Sequence, residues 1–397
     1  MDGTSKASTI LKRRHLIVVL LASFLVNFDS AVVIPIMANY SVSLGATSIL
    51  AGLIVGVYSM VHIPSNIFMG RLVDKFGRKA MVPIGIFLDG VAMLLYFLAS
   101  TPLFLLLSRI VHGIGGGFGG PSTMSYISDN MSSERSGRGM ALYGISIAFS
   151  MLLGFSIGGV FAEQIGYEPL FLAIAAILIF TSFLSTTLPE GYLPKVETTS
   201  IRRELSIFSE TIVKNVTLLP YFAVLAIFFN LGIITVSYAI ILESVGYGSG
   251  QVGMLLAVMV LTSLVVHYPA GIASDKVGKP KITVLGLITT ALSFVVLSLS
   301  LDLFFGILGM VILGFGHGTV FPTSAASVRD RSDEDNRGIA TGVFYALNVG
   351  GVALGAPLSG IIDTLFGWQS AMLLGLVVPL ICVFLYVLYG GHITDDR

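Results

Sequence analysis

Long apolar segments separated by short polar connections make up almost the whole chain. A helix that crosses the hydrocarbon core of a bilayer needs about 20 apolar residues, and twelve such segments follow one another along the 397 residues. They lie at 15–38, 47–69, 80–99, 102–126, 138–161, 168–188, 217–242, 250–273, 281–300, 303–327, 338–361 and 368–390. Alternation with a period of two is absent, so the pattern predicts an all-α membrane protein with twelve transmembrane helices.

Composition and charge fit a chain that lies mostly within a bilayer. Hydrophobic residues make up 55% of it and charged residues 11%, whereas soluble domains carry about 25% charged residues. Lys plus Arg and Asp plus Glu both number 22, so we expect no nucleic-acid partner. The single cysteine, Cys382, excludes an intramolecular disulfide. Neither H-E-x-x-H nor a His pair four residues apart occurs, so we expect no metal site and no cofactor.

Basic residues set the expected orientation. Of the 22 Lys and Arg, 21 fall in the tails and connections on one side of the predicted membrane, and Arg109 lies inside a span. The positive-inside rule therefore predicts a cell-membrane protein with both termini in the cytoplasm. The longest connection, 189–216, separates an N-terminal half (1–188) from a C-terminal half (217–397), each with six spans. We expect a monomer in the lipid bilayer.

The chain repeats itself at an offset of 201 residues. The charged loop at 70–79, GRLVDKFGRK, returns at 271–281 as GIASDKVGKPK. The matched pairs are Gly70/Gly271, Asp74/Asp275, Gly77/Gly278, Arg78/Lys279, Pro121/Pro322, Asp129/Asp330 and Gly154/Gly355, with Arg138/Arg337 at an offset of 199. Two parallel six-helix halves are typical of secondary transporters whose binding site lies between the halves.

These features resemble the major facilitator superfamily, and the layout is most similar to its twelve-span drug:proton antiporter branch. The loop pattern G-x-L-x-D-x-x-G-R-K matches in full at 70–79, and the resemblance covers nearly the whole chain. It implies the major facilitator fold, with two pseudo-symmetric six-helix halves that transport by alternating access. The span-five antiporter signature has a proline where this chain has Phe155, so strict antiport is not implied.

The resemblance also implies a latch at the inner gate, built from the repeated loop. In the family, the loop Asp faces the start of the eleventh span and the loop Arg pairs with an Asp at the end of the fourth. The residues in these roles would be Gly70, Asp74, Gly77, Arg78, Asp129 and Arg337, and in the second copy Arg138, Asp275, Lys279 and Asp330. The alternative is a basic loop that only anchors the helices.

Ionisable residues inside spans are candidates for proton coupling, because a charge at membrane depth is costly. Asp29 and Arg109 lie roughly 14 and 11 Å from the outer ends of spans one and four at a rise of 1.5 Å per residue, so we expect a direct pair. Asp89 competes for the same arginine. Either carboxylate could carry a proton, and a purely structural buried pair is the alternative. The resemblance associates an R-x-x-x-G motif at Arg109 with proton transfer.

Further polar and aromatic residues of the spans are assigned to a substrate cavity: Asn27, Tyr58, His112, Asn230, Tyr238, His317 and Phe321. With this rather apolar lining, the resemblance implies a proton-coupled secondary transporter that exports a small amphipathic organic compound. A proton-coupled uptake symporter for an organic anion or metabolite, drawn to Arg109, is the alternative. We expect no enzyme, because the G-x-G-x-x-G at 115–120 and the G-x-S-x-G at 154–158 lie inside spans with no strand before them.

Overall fold

The computed structural model describes residues 13–76, 78–130, 136–189, 218–332 and 337–389. Within these ranges the chain contains no strand, and twelve helices are long and apolar enough to cross a membrane. Both findings confirm the predicted all-α membrane architecture with twelve spans.

The described helices follow the predicted order, and some extend beyond the apolar segments. They are α1 (Arg13–Val33), α2 (Met37–Ser43), α3 (Ser48–Phe76), α4 (Arg78–Phe97), α5 (Pro102–Asn130), α6 (Ser136–Ile165), α7 (Tyr167–Ser185), α8 (Leu218–Ile233), α9 (Ala239–Ser244), α10 (Ser249–Val277), α11 (Lys279–Leu299), α12 (Leu303–Asp330), α13 (Arg337–Phe366) and α14 (Trp368–Tyr389). The helices α3 and α5 continue into polar sequence because backbone hydrogen bonds within a helix do not depend on side-chain polarity.

The first predicted span is not one continuous helix. Its helix α1 ends at Val33, and α2 begins at Met37. Between them lies Pro35, which has no N–H to donate and keeps the preceding residue out of the helical region. The chain resumes its helical course when the Tyr40 N–H donates to the Ile36 carbonyl at 2.8 Å.

The equivalent place in the second half is also irregular. A π-helical turn, Ile234–Tyr238, joins α8 to α9, and position 236 lies 201 residues after Pro35. Such turns carry an extra residue per turn and frequently mark functional segments of helices. The hydropathy pattern shows no sign of it, because all of its neighbours are apolar.

The chain forms two compact units, and the boundary between them passes through α3. Unit 1 comprises residues 1–33 and 61–197, and unit 2 comprises residues 34–60 and 198–397. In unit 1, α1 packs on α6 while α4 packs on α5 and α7. In unit 2 the matching helices repeat these pairings, because α8 packs on α13 while α11 packs on α12 and α14. Equivalent helices therefore pack on each other in the two units, as the internal sequence repeat leads one to expect.

Glycines allow the closest of these helix contacts. A Cβ atom added to Gly158 of α6 would lie 2.6 Å from the carbonyl oxygen of Val32 in α1. In unit 2, a Cβ atom at Gly355 of α13 would overlap the carbonyl oxygen of Phe229 in α8. Small residues that bring helix backbones together are typical of packing inside membranes.

Candidate functional site

Four ionisable side chains are buried together in unit 1. Asp29 comes from α1, Asp89 from α4, and Arg109 and His112 from α5, and none of them is more than 4% exposed. Arg109 and His112 are three residues apart, so they lie on the same face of their helix. Buried charges of this kind require partners, which makes their contacts informative.

His112 is the residue that joins the others. Its Nδ1 lies 2.8 Å from the hydroxyl of Tyr96, and its Nε2 lies 3.3 Å from the Asp29 carboxylate and 3.5 Å from the Ser30 hydroxyl. A neutral imidazole with its proton on Nε2 fits these contacts, since Nε2–H faces the Asp29 carboxylate while Nδ1 accepts. The geometry falls short of a hydrogen bond, because Oδ2 of Asp29 has no hydrogen-bond partner among the described residues.

Arg109 reaches Tyr96 and His112. Its guanidinium Nη1 lies 3.3 Å from the Tyr96 hydroxyl and 3.4 Å from Nδ1 of His112. The Asp29 carboxylate faces Nε2 of His112 at 3.3 Å, and the expected direct pair between Asp29 and Arg109 stays a prediction. His112 therefore contacts both residues, Asp29 through Nε2 and Arg109 through Nδ1.

Asp89 is the unusual member of the group. Neither of its carboxylate oxygens has a hydrogen-bond partner among the described residues, although the side chain is only 1% exposed. One carboxylate oxygen each of Asp29 and Asp89 and a ring nitrogen of His112, which could each bind a cation, all lie within 4.8 Å of one another. A Cβ atom at Gly115 would overlap the Asp89 carboxylate, so glycine lets α5 approach α4. The three side chains are thus placed to share one small cation.

Tyr96→Phe is expected to lower the free energy of unfolding by about 1–3 kcal/mol, because it removes a hydroxyl that two buried polar groups contact. Thermal unfolding of the purified protein measures the change. Tyr268→Phe is the control, since that side chain is 77% exposed. Equal melting temperatures for the two variants would contradict the importance of the Tyr96 hydroxyl.

Several residues assigned to the substrate cavity have other contacts within their own units. The amide nitrogen of Asn27 donates to a carbonyl of its own helix at 2.8 Å. That of Asn230 donates to the Gly375 carbonyl in α14 at 2.9 Å. Tyr238 is 1% exposed within the π-helical turn, and Tyr58 lies half-buried on α3 in unit 2.

His317 and Phe321 are brought together in unit 2. They lie one turn apart on α12, with nearly parallel rings whose centroids are 6.2 Å apart. Rings from three other helices surround them, and we name the group the aromatic–histidine cluster: Phe228, His267, His317, Phe321 and Phe344. Sequence spacing predicted only the two members on α12.

One contact of the predicted latch can be seen. The Lys279 ammonium donates to the Asp330 carboxylate across α11 and α12, and the two side chains are 21% and 55% exposed. Asp275 is exposed near the end of α10. The remaining members lie outside the residues or side chains that the structure describes: Gly70, Asp74, Gly77, Arg78, Asp129, Arg138 and Arg337.

Tyr96 was not among the residues singled out from the sequence, and His112 was assigned to the substrate cavity rather than to the proton-coupling residues. A signal for Tyr96 existed, because Asp89 and Tyr96 are seven residues apart and therefore share a face of α4. Without that spacing, an aromatic residue in a long apolar segment is interpreted as a residue that only packs in the core.

Comparison with known proteins places these features in a family. An uncharacterised MFS-type transporter of Methanocaldococcus jannaschii is 26% identical over 363 residues, which cover 89% of this chain and 92% of the relative. The quinolone resistance protein NorA of Staphylococcus aureus is 29% identical over 177 residues, or 45% of each chain.

Solved structures show the same fold at low sequence identity. A bacterial homologue of the human lysosomal transporter Spinster has a TM-score of 0.81 at 15% identity and covers 99% of both chains. The nucleoside transporter NupG has a TM-score of 0.79 at 14% identity over 95% of this chain and 99% of its own. The model of the Major Facilitator Superfamily matches residues 19–229 and 220–393, and the chain belongs to this superfamily of multi-pass membrane transporters.

Proposed function

We propose that this protein is a proton-coupled secondary active transporter that exports a small amphipathic organic compound by alternating access. The coupling proton would bind to the buried proton network, which consists of Asp29, Asp89, Tyr96, Arg109 and His112. The observation that carries the proposal is the Asp89 carboxylate, whose two buried oxygens have no hydrogen-bond partner among the described residues. A carboxylate in that position is a ready acceptor for a proton.

The charges of the network support a single proton. With both carboxylates ionised and Arg109 cationic, the group carries one excess negative charge when His112 is neutral. An uncompensated charge away from water costs several kcal/mol, and one proton removes it. The proton can sit on Asp89, because Nε2 of His112 already carries a proton in the neutral tautomer and its Nδ1 lies 3.4 Å from the Arg109 guanidinium. Water entering the network in another conformation would lower that cost and release the proton.

Two observations support export over uptake of an organic anion. Arg109 is 4% exposed and its guanidinium contacts Tyr96 and His112, so it is not presented to an anionic cargo. One relative is named for quinolone resistance, and resistance is the phenotype expected when a compound is pumped out. The export proposal therefore takes precedence over the symporter.

A pH gradient across proteoliposomes tests the proton coupling and its direction, with the fluorescent quinolone norfloxacin as the transported compound. The direction in which the gradient drives norfloxacin does not depend on which way the protein is inserted. An acidic interior is expected to drive norfloxacin into the vesicles, because protons leave as the drug enters. Accumulation driven by an acidic exterior would instead mean symport. Flux that ignores the gradient in both directions would overturn proton coupling.

The latch proposal predicts a charge-reversal rescue at Lys279 and Asp330. Either single reversal, Lys279→Asp or Asp330→Lys, is expected to slow norfloxacin flux, and the double reversal to restore it. Because the pair is partly exposed, the free energy of unfolding should change by no more than about 1 kcal/mol. Normal flux in both single variants would leave the pair with an anchoring role only.

The remaining features of the proposal concern organisation. We place the protein in the cell membrane as a monomer with both termini in the cytoplasm. The halves 1–188 and 217–397, joined by 189–216, would alternate without chemical conversion of the cargo. The positive-inside distribution of Lys and Arg supports this orientation.

A further inference from the structure

The aromatic–histidine cluster of unit 2 combines partly exposed rings with two histidines, and packing alone requires neither. Four of its five rings, those of Phe228, His267, His317 and Phe321, are only partly buried. Histidines inside membrane proteins almost always face the bundle interior or a water-filled cavity rather than lipid. The exposed part of the cluster is therefore a surface that a dissolved compound can reach.

The two histidines keep one ring nitrogen each available. Nδ1 of His267 lies 2.5 Å from the Ser263 carbonyl oxygen, so this nitrogen carries the proton and donates. Nδ1 of His317 lies 3.4 Å from the Ser263 hydroxyl, which can either accept from a protonated Nδ1 or donate to an unprotonated one. Among the described residues nothing hydrogen-bonds to Nε2 of either ring. In a neutral histidine whose Nδ1 is protonated, Nε2 is a hydrogen-bond acceptor.

The phenylalanines supply ring faces and edges around that acceptor. Phe228 meets His317 edge-on at 5.0 Å and Phe321 at 6.2 Å, and Phe344 closes the group from α13 at 5.5 Å from Phe321. Offset and edge-on arrangements of this kind are the ones that aromatic rings prefer. A flat ring entering from the exposed side would add one more partner to the set.

The positions of charged side chains around the cluster indicate which class of compound could bind there. Every Asp, Glu, Lys and Arg of α8, α10, α12 and α13 lies in the first or last turn of its helix, and α8 has none. His317 lies near the middle of α12. No described side chain of these four helices therefore offers a counter-charge at that depth, and an ionic group would be poorly compensated there.

We propose that the aromatic–histidine cluster binds the cargo through an uncharged, planar aromatic ring that carries an N–H or O–H donor. The donor bonds to Nε2 of His317 in the tautomer whose Nδ1–H faces the Ser263 hydroxyl, while the ring packs on Phe228 and Phe321. This inference rests on the proposed function only in treating the bound compound as cargo. It names a class of compound that the proton network in unit 1 does not select.

Carbazole and N-methylcarbazole form a matched pair of fluorescent probes, since both are planar and only carbazole has an N–H donor. Their affinities are measured by fluorescence anisotropy on the purified full chain, without any pH gradient and against a detergent blank. Wild-type protein is expected to bind carbazole about tenfold more tightly, as one net hydrogen bond allows. His317→Phe should remove that preference, and His317→Gln, which keeps an acceptor oxygen, should retain it.

Phe321→Leu tests the ring face, and Phe180→Leu is its matched control, because Phe180 is 69% exposed on α7 in unit 1. Phe321→Leu is expected to weaken both probes by about threefold or more, while the control leaves both unchanged. A His317→Phe protein that still prefers carbazole, or equal behaviour of the two Leu variants, would overturn the site. Since each preference compares two probes on one protein, a general folding defect does not mimic it. Norfloxacin flux under a gradient is scored separately, so the site and the proton coupling can fail independently.

Discussion

Asp89→Asn is expected to abolish concentrative transport while the protein stays folded. A one-proton exchanger can sustain about tenfold accumulation for each pH unit of gradient, since a factor of ten corresponds to about 1.4 kcal/mol. The amide keeps the shape of the carboxylate but does not ionise. The variant should therefore equilibrate norfloxacin across the vesicle membrane and stop at equal concentrations, whatever the gradient.

The melting temperature separates this outcome from misfolding. Because the Asp89 carboxylate is buried and has no hydrogen-bond partner in the described part of the chain, exchanging it for a neutral isostere should leave thermal stability unchanged or raise it. Asp302→Asn is the matched control, since its side chain caps α12 by accepting from the Phe304 N–H at 2.8 Å and asparagine caps equally well. Gradient-driven accumulation in Asp89→Asn at the level of this control would remove Asp89 from the coupling mechanism.

Gly355→Ala is expected to destabilise unit 2 by about 1–3 kcal/mol, the usual cost of forcing extra atoms into a packed core. The new methyl group would overlap the carbonyl oxygen of Phe229. That atom belongs to the backbone of α8, so it cannot swing aside as a long side chain would. Thermal unfolding of the purified protein should show a lower melting temperature, and α13 would have to move away from α8.

Gly342→Ala provides the comparison within the same helix. A Cβ atom at Gly342 would meet nothing within 4 Å, and alanine in a helix interior is favoured over glycine by roughly 0.5–1 kcal/mol. This variant should melt at the same or a higher temperature. Equal shifts in the two variants would mean that the close approach of α8 and α13 contributes little to stability.

The twelve spans and the family were predictable from the sequence because both depend on features that a linear pattern records. Span length follows from bilayer thickness, and the repeat at 70–79 and 271–281 is visible as matched letters. Extra helical turns at the ends of α3 and α5 were not predictable from hydropathy, because polar residues can continue a helix at no cost in backbone bonds.

The arrangement of the proton network could be predicted only in part. Asp29, Asp89 and Arg109 stand out because charges are rare at membrane depth. The position of His112 between Asp29 and Arg109 depends on how α1, α4 and α5 rotate about their axes, and apolar segments without a polar face leave that rotation undefined. Tyr96 was missed for a related reason, since its hydroxyl matters only once its neighbours are known.

The irregular points in the first and seventh spans have a consequence for protein engineering. Both halves interrupt the regular α-helix of their first span at equivalent positions, yet one does so at Pro35 and the other with a π-helical turn whose sequence, ITVSY, contains no proline. A chimera designed by aligning residue types would take account of the break at Pro35, which a proline marks, and would overlook the π-helical turn, which no proline marks. Exchanging these helices between homologues therefore calls for matching backbone conformation, because the two copies leave the regular α-helix in different ways at equivalent positions.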